Sequence, residues 1–197
     1  MPSPGEILEG LAAVANDWLA LAIAWHVVAA ALLGALLAGW RPTRAVLGAM
    51  LATPLLSVAA LAFSMGNPFN GAVFGLLSVA SGALTLARRR VPNSGSRLVT
   101  ALGLAMIGFG WCYPHFLEAD AALYLIAAPM GLVPCPTLAA VIGFGLLRNG
   151  LESRAWSWLV AGASLFYGIF GVFRLGVWLD IGLLAGAVAL LLPPRRG

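Results

Sequence analysis

The sequence predicts an all-α integral membrane bundle of seven transmembrane helices, N-terminus outside and C-terminus in the cytoplasm, with a fifth helix broken by prolines. Three observations carry this expectation. The 197 residues are 61% apolar and only 9% charged, whereas roughly a quarter of a soluble domain is charged. The chain divides into seven apolar runs, and about 20 apolar residues carry a helix across the hydrocarbon core. There is no lysine, and ten of the eleven arginines fall on alternate connections: Arg41 and Arg44, then Arg88, Arg89, Arg90 and Arg97, then Arg148 and Arg154, then Arg195 and Arg196. Glu6, Glu9, Asp17, Glu118, Asp120 and Asp180 occupy the gaps between. Arginine is held on the cytoplasmic side of membranes, so the alternation both counts the crossings and orients them.

Residues 1–16 are too polar and too short to span. Ile7, Leu8, Leu11 and Val14 repeat at helical spacing, which predicts either a short amphipathic helix on the outer surface or a tail that begins at Pro2 and Pro4. The acidic start lacks the basic region of a cleavable signal peptide, so the first span is expected to remain as an anchor. The transmembrane domain then covers residues 17–194, and residues 195–197 form a cytoplasmic tail. Its runs are Trp18 to Trp40, Ala45 to Ser64, Gly71 to Ala87, Leu98 to Leu117, Ala121 to Leu147, Trp156 to Phe173 and Gly176 to Leu192. The last two come from one apolar stretch of 37 residues, too long for one helix, interrupted at Arg174 and Asp180. A tight outer turn between two helices fits, with a salt bridge between those two charges as its ordinary reading. Trp18, Trp111 and Trp178 are expected near the outer interface, and Trp40, Trp156 and Trp158 near the inner one. Small residues four apart, as in Gly34/Ala38, Gly71/Gly75, Ser78/Gly82 and Gly182/Gly186, predict close helix packing. In the turn before the third run, Asn70 is expected to cap the helix and Asn67 to sit beside it.

The fifth run is the most unusual. It is 27 residues long, about 40 Å as a helix against a core of about 30 Å. Pro129, Pro134 and Pro136 lie within eight residues of it. Each lacks an N–H and clashes with the carbonyl four residues back. A break near Met130 to Pro136, with a regular helix from Thr137 to Leu147, reconciles both facts. Irregular backbone at membrane depth is tolerated only inside protein or beside a water-filled cavity, and broken helices often build ligand sites. A cavity bounded by the fourth and fifth runs and opening outward is therefore expected, with the carbonyls of Met130 and Leu132 unpaired. The candidate ligand-binding residues are Met130, Leu132, Cys135, Thr137, Cys112 and His115.

By rise per residue Cys112 and Cys135 lie at comparable depth, so either a disulfide, a shared soft metal site with His115 and Met130, or two free buried thiols would fit. Which metal or cofactor, if any, is left unassigned. His26 lies some 9 Å deeper than His115 by the same rise, which disfavours a haem with two axial histidines; a hydrogen-bonded core histidine is the plain reading of His26. Without lysine there is no retinal Schiff base, and no P-loop, HExxH, DxD or serine elbow is present. The pI of 9.8 reflects arginine in short loops and an attraction to anionic headgroups rather than a nucleic-acid footprint.

Asn67-Pro68-Phe69-Asn70-Gly71, then Gly131-Leu132-Val133-Pro134-Cys135-Pro136-Thr137, then Gly143-Phe144-Gly145-Leu146-Leu147 and Asp180-Ile181-Gly182-Leu183-Leu184 resemble, in this order, the motifs of an uncharacterised bacterial family of polytopic membrane proteins. The resemblance implies the fold and a multi-pass location in the bacterial inner membrane; that family has no established activity to carry over. Three functions are consistent with the residues. The first is a small-solute or ion permease or channel with its site in the outer half of the bundle. The second is a non-catalytic subunit or assembly partner of a larger membrane complex. The third is a membrane thiol–disulfide oxidoreductase using Cys112 and Cys135. The expected partners are the lipid bilayer, a small solute or ion, and partner subunits, with no nucleic acid.

Overall fold

The computed structural model describes residues 3–87, 90–91, 96–118 and 120–192. Arg88, Arg89, Pro92, Arg195 and Arg196 lie outside the described residues. Those described are all-helical, apart from one isolated antiparallel bridge between Thr43 and Arg90. The elements are α1 (Pro4–Asp17), α2 (Leu19–Leu37), α3 (Arg44–Ser64), α4 (Pro68–Leu84), α5 (Arg97–Trp111), α6 (Tyr124–Ala127), α7 (Pro134–Leu147), α8 (Arg154–Ile169) and α9 (Ile181–Leu191). A π-helical turn, Phe170–Leu175, follows α8.

Local chemistry starts most of these helices. The side chains of Ser3, Thr43, Asn67, Ser96 and Ser153 each accept a hydrogen bond from the N–H three residues on. Each thereby satisfies one of the donors that a helix start leaves without an intrahelical partner. At α1 the cap is reciprocal, because Glu6 also accepts from the Ser3 N–H. The first segment is thus a helix, with Val14 buried, Ile7, Leu8 and Leu11 half-buried, and Glu6 and Glu9 exposed. At α4 the structure reverses the expected roles: Asn67 caps the helix, while Asn70 accepts from the Tyr167 hydroxyl on α8. Asn67 precedes Pro68, the first helical residue, so it alone stands where a capping side chain works.

Three helices are long and apolar enough to cross a bilayer: Leu19–Leu37, Arg44–Ser64 and Arg154–Leu175. Four shorter apolar helices, Pro68–Leu84, Arg97–Trp111, Pro134–Leu147 and Trp178–Leu191, fall within or across the remaining four runs. The 15 residues of α5 rise only about 22 Å. It stops at Trp111, ahead of Pro114, rather than at Leu117.

The fifth run is interrupted. Its chain makes the single turn of α6, leaves helical geometry over residues 128–133, and resumes as α7. Pro134 and Pro136 do not damage α7, because they occupy its first turn, where N–H groups have no intrahelical acceptor. The regular helix therefore begins three residues earlier than expected. All but Cys135 of the 14 residues of α7 are buried, so it is the axis around which the others pack, apolar on every side as a fully enclosed helix must be. Trp156 is a correction. It is fully buried, donating from its indole N–H to Ser81 Oγ at 2.6 Å with Gly145 beneath its ring, whereas Trp158 is 60% exposed.

Between α7 and α8 the chain reverses through Asn149, Gly150, Leu151 and Glu152, all with φ between 50° and 60°. A left-handed turn disfavours L-residues by roughly 1–2 kcal/mol each. The side chain of Leu151, wholly buried in the main core, helps to offset that cost.

Candidate functional site

Three chain segments converge on Asp180. The first is the end of α5, where Tyr113 lies just past the C-cap, fully buried, its ring at 5.4 Å from Phe109 and 6.1 Å from Phe116. The second is the start of α7, where Cys135 holds the second helical position. The third is the π turn, which closes with Gly176 at φ 72° and the Val177 N–H donating to the Gly171 carbonyl at 2.9 Å. π turns often mark functional sites. Here the wider turn leaves Gly171 directly against the Asp180 carboxyl, and a Cβ at that position would overlap Oδ2.

Asp180 is 1% exposed. Its Oδ1 accepts from the Tyr113 hydroxyl at 2.7 Å and its Oδ2 from the Cys135 thiol at 3.3 Å. The expected salt bridge with Arg174 is not formed: Arg174 points outward and is exposed, and Asp180 points inward. Arg174 lies in the π turn itself, and the five residues that follow it, beginning with Leu175 and the left-handed Gly176, bring Asp180 back to face inward. Both oxygens of this carboxyl are thus held by neutral donors.

The loop carrying Tyr113 is fixed from outside the cluster. Asn16 on α1 donates to the Phe116 carbonyl and accepts from the Glu118 N–H, and the Tyr124 hydroxyl donates to the Leu117 carbonyl.

The sequence-derived candidates separate into three places. Cys135 joins Asp180. Met130 and Thr137 line an apolar crevice on the other side of α7, together with Trp25, Leu32, Pro54 and Phe144 among others. Leu132 belongs to a satellite core with Val14, Ala22, Leu61, Ala127 and Val133. Cys112 caps α5 through its backbone, and the His115 ring lies edge-on to Phe116 at 4.3 Å. Both thiols are free, and among the described residues no three of His, Cys, Asp or Glu form a group able to hold a metal. Cys112, His115 and Cys135 are therefore not one ligand set. His26 is a buried core histidine, its ring nitrogens facing the carbonyls of Ala22 at 2.8 Å and Trp111 at 3.0 Å.

The expected cavity between the fourth and fifth runs is replaced by direct backbone contact. A Cβ on Gly110 of α5 would come within 2.5 Å of the Pro136 carbonyl oxygen, and one on Gly143 of α7 within 2.7 Å of the Gly103 carbonyl oxygen. Open space lies instead in a crevice bounded by α2, α3 and α7.

The interrupted stretch satisfies its own donors. The N–H groups of Met130, Leu132 and Val133 turn back onto the carbonyls of Ala128 and Pro129, and that of Gly131 donates to Thr137 Oγ1 at 2.8 Å. The Thr137 hydroxyl in turn donates to the Val133 carbonyl at 2.7 Å. The Leu125 carbonyl, four residues before Pro129, accepts from the Trp111 indole N–H. No donor among the described residues reaches the carbonyls of Met130 or Leu132.

Sequence reasoning missed Tyr113 and Gly171 and misassigned Asp180. Tyr113 is 67 residues from Asp180, beyond any local spacing rule. The available signal was an acid inside an apolar stretch, which is a functional-site hypothesis by default.

No protein-family model, curated protein or solved structure matches the chain.

Proposed function

We propose that this chain is a multi-pass protein of a bacterial inner membrane, with seven spans, N-out and C-in, and that it is a small-solute or ion permease whose ion-binding group is Asp180. The topology rests on the alternation of arginine and acid along the chain and on apolar helices that fall on all seven runs. A reporter fused after Gly197 or inserted near Pro92 tests it; activity of either outside the cell overturns it.

One observation carries the functional reading. The Asp180 carboxyl is almost wholly buried, at the junction of an interrupted helix, a π turn and the end of α5, and its two hydrogen-bond donors, Tyr113 and Cys135, are uncharged. An ionised group removed from water without an opposite charge costs several kcal/mol, so such a carboxyl binds a proton or a small cation. Its exchange between bound and free forms supplies a coupling step, and ionisable residues within membrane bundles commonly mark such pathways. The Tyr113 hydroxyl and Cys135 thiol orient the carboxyl by donating to it, and their oxygen and sulfur lone pairs are free to face an incoming cation.

The test is flux in liposomes holding the purified chain, read with an internal pH dye under a potassium diffusion potential and repeated with sodium and potassium gradients. Wild-type protein passes protons or one alkali cation above empty liposomes, and Asp180→Asn lowers the rate at least tenfold, about 1.4 kcal/mol in barrier, at equal incorporation. Flux unchanged in Asp180→Asn overturns the assignment of that residue. Absence of any flux, with a stoichiometric partner retained through purification, establishes the assembly-subunit reading instead; the dry α5–α7 seam favours that alternative.

A further inference from the structure

A chain of contacts runs from the exposed helix α1 to the buried Asp180 carboxyl. Only the last turn of α1 is buried, at Val14 and Ala15; Glu6, Glu9 and Gly10, nearer its start, are exposed. Trp18, 43% exposed, is the single residue between α1 and α2, so the two helices meet at a one-residue joint.

Asn16, in that last turn, uses its whole carboxamide. Its Nδ2 donates to the Ala12 carbonyl of the same helix at 2.7 Å and to the Phe116 carbonyl at 3.0 Å, and its Oδ1 accepts from the Glu118 N–H at 3.0 Å. The bond to Ala12 fixes the amide, so the other two bonds are presented ready-made to the loop after α5. That loop needs holding. Phe116 has φ 78°, in the left-handed region that a bulky L-residue avoids, and such a conformation persists only where its surroundings over-determine it. What the conformation accomplishes is the placement of a ring. Phe116 stacks on Tyr113 at 6.1 Å and 13° and also packs against the satellite core that holds Val14 of α1. Tyr113 in turn donates to Asp180 Oδ1. The same α1 packs against the π turn that carries Gly171.

We infer that α1 is a hinged strap over the outer side of the Asp180 cluster, closed in this structure, and that Asn16 is its latch. With Asn16 engaged, Phe116 is kept on Tyr113 and the carboxyl is sealed. With Asn16 released, the left-handed residue relaxes, its ring leaves Tyr113, and a small cation from the outer solution reaches Asp180. The Tyr124 hydroxyl, donating to the Leu117 carbonyl at 2.6 Å, ties the loop to α6 and keeps the rest of it in place. Local opening draws on segments with little buried surface, which the first turns of α1 supply. The strap controls access to the ion-binding group proposed above, and so rests on that reading of Asp180.

The test reads access to Cys135, whose thiol stands 3.3 Å from Asp180 Oδ2. It uses the whole chain in detergent micelles with Cys112→Ser, which leaves one thiol. A small cationic methanethiosulfonate is added and modification of Cys135 is followed by mass spectrometry. Asn16→Ala should speed that modification about tenfold, as expected on losing two hydrogen bonds of ordinary net strength. Asn16→Asp, which keeps the size but has no N–H for the Phe116 carbonyl, should speed it too. Asn16→Cys combined with Glu118→Cys puts a disulfide in place of the carboxamide contact. Oxidised, this pair should hold Cys135 at or below the starting rate; reduced, it should match Asn16→Ala. Equal rates in all of these variants overturn the strap. So does an oxidised pair that labels as fast as the reduced one, since the change would then be a general loosening. No flux enters this readout. A latch-dependent rate in a chain that carries no ion leaves the strap standing and removes the permease, whereas Asp180-dependent flux with latch-independent labelling removes the strap alone.

Discussion

The two sides of α7 are built on opposite principles. Toward α5, glycines on both helices bring backbone against backbone: Gly103 and Gly110 meet Gly143 and Pro136, with Ile107 filling the space between. Toward α2 and α3, the same helix presents Thr137, Val141 and Phe144 to an open crevice. Where Cβ atoms are absent, dispersion and close backbone approach hold helices together in lipid. Where side chains of ordinary size face a helix that stands off, a slot remains. One helix can thus serve as a rigid partner on one face and as the wall of an open crevice on the other, and the difference lies in a few glycines rather than in overall apolarity.

The strongest way to break this comparison is to add the same methyl-scale bulk to each side. Gly143→Ala places a carbon 2.6 Å from Ile107 Cγ1 and 2.7 Å from both the Gly103 carbonyl oxygen and the Ile107 nitrogen, and backbone cannot yield as a side chain can. We expect a loss of about 1–3 kcal/mol in denaturant unfolding in micelles. Val28→Ile, which adds one methyl on the crevice wall at a residue 43% exposed, should change stability by no more than about 0.5 kcal/mol. Equal losses at both positions would show that the two faces are packed alike.

The polar counterpart concerns Thr137, whose single hydroxyl accepts from Gly131 and donates to Val133. Thr137→Val leaves a buried N–H without an acceptor and should cost about 1–3 kcal/mol. Thr137→Ser, which keeps the hydroxyl, should recover most of it. The same pair of variants distinguishes a structural role from a ligand-binding one: if Thr137→Val unfolds normally yet loses flux, the hydroxyl serves a ligand and not the loop.

Gly171 and Asp180 offer a smaller and more specific effect. A methyl at Gly171 collides with the Asp180 side chain, whose Oδ2, Cγ and Cβ are the three atoms nearest to it. Gly171→Ala should therefore cost stability in the wild-type background and much less in an Asp180→Ala background. The coupling in a double-mutant cycle should be about 1–2 kcal/mol, as for residues in direct contact. Additive losses would mean that the glycine answers to the π turn itself, not to the carboxyl beside it.

These regions also differ in how far they could be read from the sequence. Each of the seven apolar runs contains an apolar helix, three of them long enough to cross a bilayer, because hydrophobic length is written locally. The interruption of the fifth run was equally readable, since proline removes a donor wherever it stands; where the helix would resume was not, because Pro134 and Pro136 are harmless in a first turn. Trp156 and Trp158 look alike in sequence, yet one is a core residue and the other faces outward; two residues on one helix point in different directions, and only the packing says which is inside. The α5–α7 seam is only partly legible: Gly110 in the fourth run permits the close backbone approach found at Pro136, whereas Gly103 stands seven residues away and meets Gly143 outside any four-residue spacing of small residues. Asp180 was seen as a charge but given the wrong partner, since Tyr113 and Cys135 reach it only through tertiary structure.

The smallest expected effect lies farthest from α7, at the start of α1, and it sharpens the contrast between a buried polar cluster and an exposed one. Glu6 accepts from the Ser3 N–H at 2.6 Å while Ser3 Oγ accepts from the Glu6 N–H at 3.2 Å. The Ser3 backbone and then its hydroxyl hold the Glu6 pKa below the ordinary glutamate value. A carboxyl whose folded value is depressed adds stability that is fully present above the unfolded value, about 4.3, and is lost as pH falls through the lower folded value. Amide exchange of α1, corrected for intrinsic rates, should therefore quicken as pH drops below that range, while α7 amides stay unchanged. Glu6→Gln should abolish this pH dependence and leave the Ser3 cap on the Glu6 N–H in place. If α1 amides open with the same pH profile in Glu6→Gln as in wild type, the titrating group that governs the helix start is some other carboxyl, and Glu9 and Asp17, the remaining acids of α1, become the residues to vary.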